Sequence, residues 1–189
     1  MIFGGNGYSE EWKQEAARRG LSNLASTAEA LPAYVSEKNI DLVVRHGIFN
    51  ESEFRARHAI HLESYRKIVN IEARTMVDMA IHQILPAASA YTRSLCDTAA
   101  AKKAMGASCR SELDLIAKLS ENQDALYDRV EQLKGELTAI PAEPEEAARY
   151  CRNVIIASMN AIRTSADRLE ELTAKSYWPF PTYSDLLFY

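Results

Sequence analysis

From Glu51 to Leu85 the chain runs without a single glycine or proline, and a stretch of that length has little choice but to form one long helix. Its start is marked by Asn50-Glu51-Ser52-Glu53, a cap with a glutamate three residues on. Phe54, Leu62, Tyr65, Val69, Met76 and Met79 recur at helical spacings, and Ile68, Ile71 and Ile81 widen the stripe. Such a helix expects cover on more than one side. Pro86 should kink or interrupt it before an alanine-rich stretch through Ala104, which Gly106 ends.

A second long helix is predicted from about residue 111 to 139. Ile116, Gln123, Val130 and Leu137 share one heptad position and Leu119, Leu126 and Leu133 another, a coiled-coil seam with a single polar layer at Gln123. Pro141 and Pro144 mark a turn, and Glu145 and Glu146 suit the positive end of the next helix. There Cys151, Ser158, Ser165 and Leu172, with Val154 or Ile155, Ile162 and Leu169, repeat the pattern. Two seams joined by a short turn predict an antiparallel hairpin packing on the Asn50 helix.

Ahead of these lie smaller pieces. Ser9 caps a short helix holding Trp12, Ala16 and Ala17 and ending at Gly20; Ser26-Thr27-Ala28-Glu29 opens a second, weakened by Pro32; Ile40, Leu42, Val43 and Val44 form a third patch closed by Gly47. The expected fold is therefore all-α: a long antiparallel helical hairpin or bundle preceded by short helices and followed by an extended aromatic and proline tail. That tail, residues 177–189, carries Pro179 and Pro181, which forbid a regular helix there, and apolar area that needs a surface.

Composition narrows the function classes. The 189 residues suffice for one core, and 22 basic against 26 acidic residues, net −4, leave no electrostatic footprint for nucleic acid or an anionic membrane. Cys96, Cys109 and Cys151 lack CxxC spacing, which favours buried thiols in a reducing compartment over a disulfide or zinc framework. With no signal-like or membrane-length apolar run, a cytoplasmic protein is expected. Met1-Ile2-Phe3-Gly4-Gly5 reads as though a strand had been cut at the start.

Candidates for chemistry are few. His58 and His61 are neighbours on one helix face, and Asp78 and His82 are four apart on the same helix, spacings that can hold a metal. A di-iron site would need Glu-x-x-His motifs on two helices, and no other helix carries histidine, so packed or solvated histidines are the expectation. Gly4-Gly5-Asn6-Gly7-Tyr8-Ser9 precedes a helix but lacks the Lys-Ser/Thr of a phosphate loop, and reads as a turn. Nothing marks a nucleophile elbow. The residues alone point to a binding or structural module, with no catalytic, cofactor-binding or metal-ligating residue.

Three segments carry a resemblance: the opening IFGGNGYSEEWKQEAARRGLSNLASTAEALP, the central IFNESEFRARHAIHLESYRKIVNIEARTMVDMA and the closing YWPFPTYSDLLFY. In this order they resemble the C-terminal region of type III glutamine synthetases over essentially the whole chain, with Ser184 standing where a glycine is expected. The resemblance implies a parent enzyme that ligates ammonia to glutamate using ATP and a divalent metal such as magnesium, in a ring-based homo-oligomer. Its catalytic motifs match no position here, so the chain alone is expected to be inactive and to hold no cofactor. The resemblance further implies that residues 1–75 end a catalytic domain, 76–175 form a helical extension and 176–189 return to the catalytic body. Trp178, Phe180, Tyr183, Leu187 and Phe188 are then the expected anchors, docking on the catalytic domain or a neighbouring subunit in a role of assembly or regulation. The rival readings are a free-standing helical scaffold or adaptor with a docking tail, and, less favoured, a helical metalloprotein using His58 and His61.

Overall fold

The computed structural model describes residues 3–181 and 183–187, and every regular element among them is helical. The chain divides into two compact units, Met1–Tyr65 and Arg66–Tyr189.

The first unit holds α1 (Glu10–Arg18), α2 (Thr27–Tyr34), α3 (Glu37–Arg45) and the beginning of α4 (Glu51–Met79). The predicted caps form. Ser9 accepts from the Trp12 amide and Ser26 from the Glu29 amide, while at the start of α4 the box closes both ways: Asn50 Oδ1 accepts from the Glu53 amide at 2.9 Å and Glu53 Oε2 accepts from the Asn50 amide at 3.0 Å. Gly47 ends α3 with φ of 64°, letting the Ile48 amide reach back to the Val43 carbonyl at 2.9 Å. Ala16, Ala28, Leu31, Ile40, Phe54 and Leu62 are buried, and the Tyr34 and Phe54 rings stack at 4.4 Å. On α1, Arg18 and Arg19 both bind Glu15 at 2.6 Å. Their hydrogen bonds bring its carboxyl down to about 2 from an ordinary value near 4.5.

The second unit is a bundle of α5 (Leu85–Ala104), α6 (Arg110–Thr138) and α8 (Ile156–Leu172), the last led in by α7 (Pro144–Tyr150). Two π-turns interrupt these rods, Ala80–Ile84 between α4 and α5 and Cys151–Ile155 between α7 and α8. In the first, the Leu85 amide donates to the Ala80 carbonyl, five residues back. Helical structure is therefore continuous from Glu51 to Ala104 despite Pro86, because the wider turn places the proline in the first turn of α5, where a missing N–H costs little.

The heptad seam is the core. Leu119, Leu126, Val130 and Leu133 of α6 and Cys151, Ile155, Ile162 and Leu169 opposite are all at most 1% exposed. The polar layer is satisfied from α5: Ser89 Oγ donates to Gln123 Oε1 at 3.2 Å and Gln123 Nε2 donates to Thr92 Oγ1 at 2.9 Å. Lys102 pairs with Glu112 nearer the turn, so residues ascending α5 meet residues descending α6, an antiparallel pair. On the other seam Arg129 Nη1 donates to the Ala161 carbonyl at 2.7 Å and to Ser165 Oγ, while Tyr150 Oη donates to the Glu136 carbonyl at 3.3 Å, so α6 runs antiparallel to α7 and α8 as well.

α5 lies along α6, and α6 and α8 both touch the first π-turn, where the small buried side chains of Ala80 and Ala88 allow close approach; residues of α4 border clefts with α8 and with the end of α6. One expectation changes: the tail is not extended throughout. Residues 174–178 curl into a turn in which the Tyr177 and Trp178 amides donate to the Ala174 carbonyl, and Tyr183–Leu187 form a one-turn helix, α9. The prolines bar helix only around 179–181; on either side the amides close local hydrogen bonds.

Leu126→Ala is expected to cost about 2–5 kcal/mol in urea unfolding, against less than about 0.5 for Tyr127→Ala on the adjacent solvent face. Because the Glu15 pKa is lowered on folding, its contribution is complete above pH 4.5 and disappears as pH falls toward 2. The Glu15 side-chain carboxyl should accordingly titrate by NMR near 2, moving back toward its ordinary value when both Arg18 and Arg19 are replaced by Gln.

Candidate functional site

A predominantly apolar concavity lies within the second unit, between the end of α4 and α8, with a volume of about 550 Å³. Ile71, Met76, Met79 and Ile84 form one wall, Met159, Ile162 and Ala166 the other. Methionine suits such a place, since its unbranched thioether adapts to irregular shapes. Glu72, Glu170 and the Arg163–Asp167 pair, 3.6 Å apart, make the polar rim.

Two of the expected anchors line this groove. Trp178 and Phe180 are half-buried there, their rings edge-to-face at 6.1 Å. Tyr177 packs on Tyr91 of α5 with ring centroids 5.3 Å apart, so the tail root lies on its own bundle. Leu187, with Leu186 beside it, is exposed on α9, where Lys175 pairs with Asp185. The Tyr183 side chain and Phe188 lie outside what the structure describes. The facing wall was missed from sequence. Met76 and Met79 stood in the α4 stripe, but their pairing with Met159 depends on the approach of α8.

The other candidates resolve differently. His58 is buried with its ring beside Tyr34 and its Nε2 without a hydrogen-bond partner, whereas His61 is exposed with Tyr34 edge-on at 5.7 Å. Asp78 and His82 face each other at 3.7 Å in solvent. Among the described residues no three His, Cys, Asp or Glu side chains gather into a group that could hold a metal ion. In the glycine-rich opening, the Tyr8 amide donates to Asn6 Oδ1 and the Ser9 amide to the Asn6 carbonyl, so both donors close a turn. Burial pushes the Cys151 thiol up, partly opposed by the charge of Arg66, which leaves it a poor nucleophile. Among the described residues no helix is long and apolar enough to cross a membrane.

The family model described as "Glutamine synthetase C-terminal domain" matches residues 1–103, more than half of the chain. The chain belongs to the glutamine synthetase C-terminal domain family. Among curated proteins it is 34% identical to a "Glutamine synthetase" of Butyrivibrio fibrisolvens over 197 aligned residues, covering 100% of this chain and 27% of that protein. A "Glutamine synthetase" of Bacteroides fragilis (strain YCH46) is 34% identical over 98% of the chain, and a "Type-3 glutamine synthetase" of Dictyostelium discoideum 31% identical over all of it, each again with 27% of its own length covered. The chain thus spans about a quarter of the length of these relatives. Their similarity extends beyond the family-model match, through α6, α8 and the tail.

The burial pattern orders the thiols. Ellman's reagent should label exposed Cys96 in the native chain within the mixing phase and Cys151 only on unfolding, which a Cys151→Ala variant would identify by the loss of that late thiol.

Proposed function

We propose that this chain is the C-terminal, non-catalytic helical region of a type III glutamine synthetase, acting in assembly or regulation of a cytoplasmic homo-oligomer whose catalytic domain ligates ammonia to glutamate with ATP and magnesium. The observation that carries the reading is the match of the whole chain to about a quarter of each glutamine synthetase relative, with a family model named for the C-terminal domain. The surface supports it. Ile68 and Ile71 stand 55% and 62% exposed on α4, as do Leu186 and Leu187 on α9 at 62% and 69%. Apolar side chains grouped in this way suit a surface against which another part of the enzyme packs.

In this reading the tail bridges two bodies. Tyr177, Trp178 and Phe180 hold its root on the bundle, and Tyr183, Leu187 and Phe188 reach the catalytic domain or a neighbouring subunit. No residue here is assigned to the chemical step.

An antibody against the peptide 177–189 should detect, in source cells, a polypeptide far larger than 21 kDa; a native band at 21 kDa would instead identify a free-standing helical scaffold. In the full enzyme, Trp178→Ala with Phe180→Ala should weaken docking of the tail by several kcal/mol, about 2 or more for each anchor. Native mass spectrometry and the thermal midpoint of the oligomer read this directly, and unchanged values for both would remove the tail from assembly.

A further inference from the structure

We propose that the cleft between the second half of α4 and the end of α6 binds a phosphate-bearing anion. Arg66, Asn70 and Arg74 follow one another at four-residue intervals and so form a row along one face of α4, with Lys67 beside them. Across the cleft, Leu137 and Ile140 provide an apolar wall, and the cleft, open to solvent, has a volume of about 390 Å³. The lining contains cations, an amide and apolar carbon, but no carboxylate.

The state of each polar group matters more than their number. Arg66 is half-buried, and among the described residues neither Arg66 nor Arg74 forms an ion pair. Removing a guanidinium from water without an anionic partner is costly, and a bound anion would offset that cost. Arg74 Nε donates to Asn70 Oδ1 at 3.1 Å, which fixes the guanidinium plane and leaves Asn70 Nδ2 as a donor. The row therefore presents donors alone, and arginine forks match the oxygen geometry of phosphate.

A structural explanation competes with this one. Leu137 and Thr138 lie in the last turn of α6, whose carbonyls favour cations nearby. That negative end amounts to about half an elementary charge, against two full charges from Arg66 and Arg74. The helix end satisfies a fraction of the positive charge, and the remainder matches a phosphate dianion. The apolar wall and the volume give room for an organic group beyond the phosphate itself.

The test uses the full 189-residue chain, titrated with inorganic phosphate and with phenyl phosphate at constant ionic strength so that general screening is held fixed. Side-chain Nε–H resonances of Arg66 and Arg74 should shift saturably, and acetate should bind more weakly. Arg74→Gln, at an exposed position, and Arg66→Gln should each raise Kd about tenfold or more, the usual consequence of losing a charge-assisted hydrogen bond. Lys103→Gln at the end of α5 should leave Kd unchanged, and circular dichroism confirms that each variant is folded. Equal affinity for the two probes assigns the ion, and tighter phenyl phosphate assigns an ester that uses Leu137 and Ile140. Absence of saturable shifts, or a Kd indifferent to Arg74→Gln, would overturn the site and leave the cations to the α6 carbonyls.

Discussion

The seam between α6 and α8 is the contact on which the second unit rests. Leu119, Leu126, Val130 and Leu133 meet Cys151, Ile155, Ile162 and Leu169 with essentially no solvent between them. Each side chain of this size is worth roughly 1.5–3 kcal/mol when fully removed from water, whereas the exposed ion pairs along the same helices, Lys118–Asp114 and Arg168–Glu171 among them, contribute about 0–1 kcal/mol each. Apolar burial therefore supplies the stability, and the charges keep the outer faces in water.

An apolar seam alone tolerates slippage, and the polar contacts inside it remove that freedom. Gln123 finds Ser89 and Thr92 in one register with α5, and Arg129 finds the Ala161 carbonyl and Ser165 in one register with α8. A shift by one turn would leave these groups partly desolvated and unbonded, at a cost of about 1–3 kcal/mol apiece. The π-turn ahead of Pro86 is a comparable local adjustment. One wider turn lets the α4 helix run on into α5 without a steric clash at the proline ring.

The bundle also shapes the surfaces on which the functional readings stand. Where α4 diverges from α8, the gap becomes the methionine-lined groove that receives Trp178 and Phe180, and where α4 passes the end of α6 it becomes the arginine-lined cleft. The two differ in chemistry because opposite faces of one helix border them. Met76 and Met79 lie on one face, Arg66, Asn70 and Arg74 on the other. We propose that the groove and the tail together join this helical part to a larger enzyme.

Much of this was legible in the residues themselves. The Asn50–Glu53 box, the turn at Gly106, the proline turn before α7, the buried heptad positions and the polar layer at Gln123 all follow from local rules of capping, conformational preference and helical period, which act over a few residues and so are written in short stretches of sequence. The family resemblance was likewise carried by short segments. What the tertiary structure decided is how the elements meet: α5 laid along α6, Met159 opposite Met76 and Met79, the tail curled at 174–178, and Arg66 half-buried in a cleft whose lining holds no carboxylate. These depend on packing between residues far apart in the chain, where small differences in side-chain volume and backbone approach select one arrangement among several that the same helical period allows.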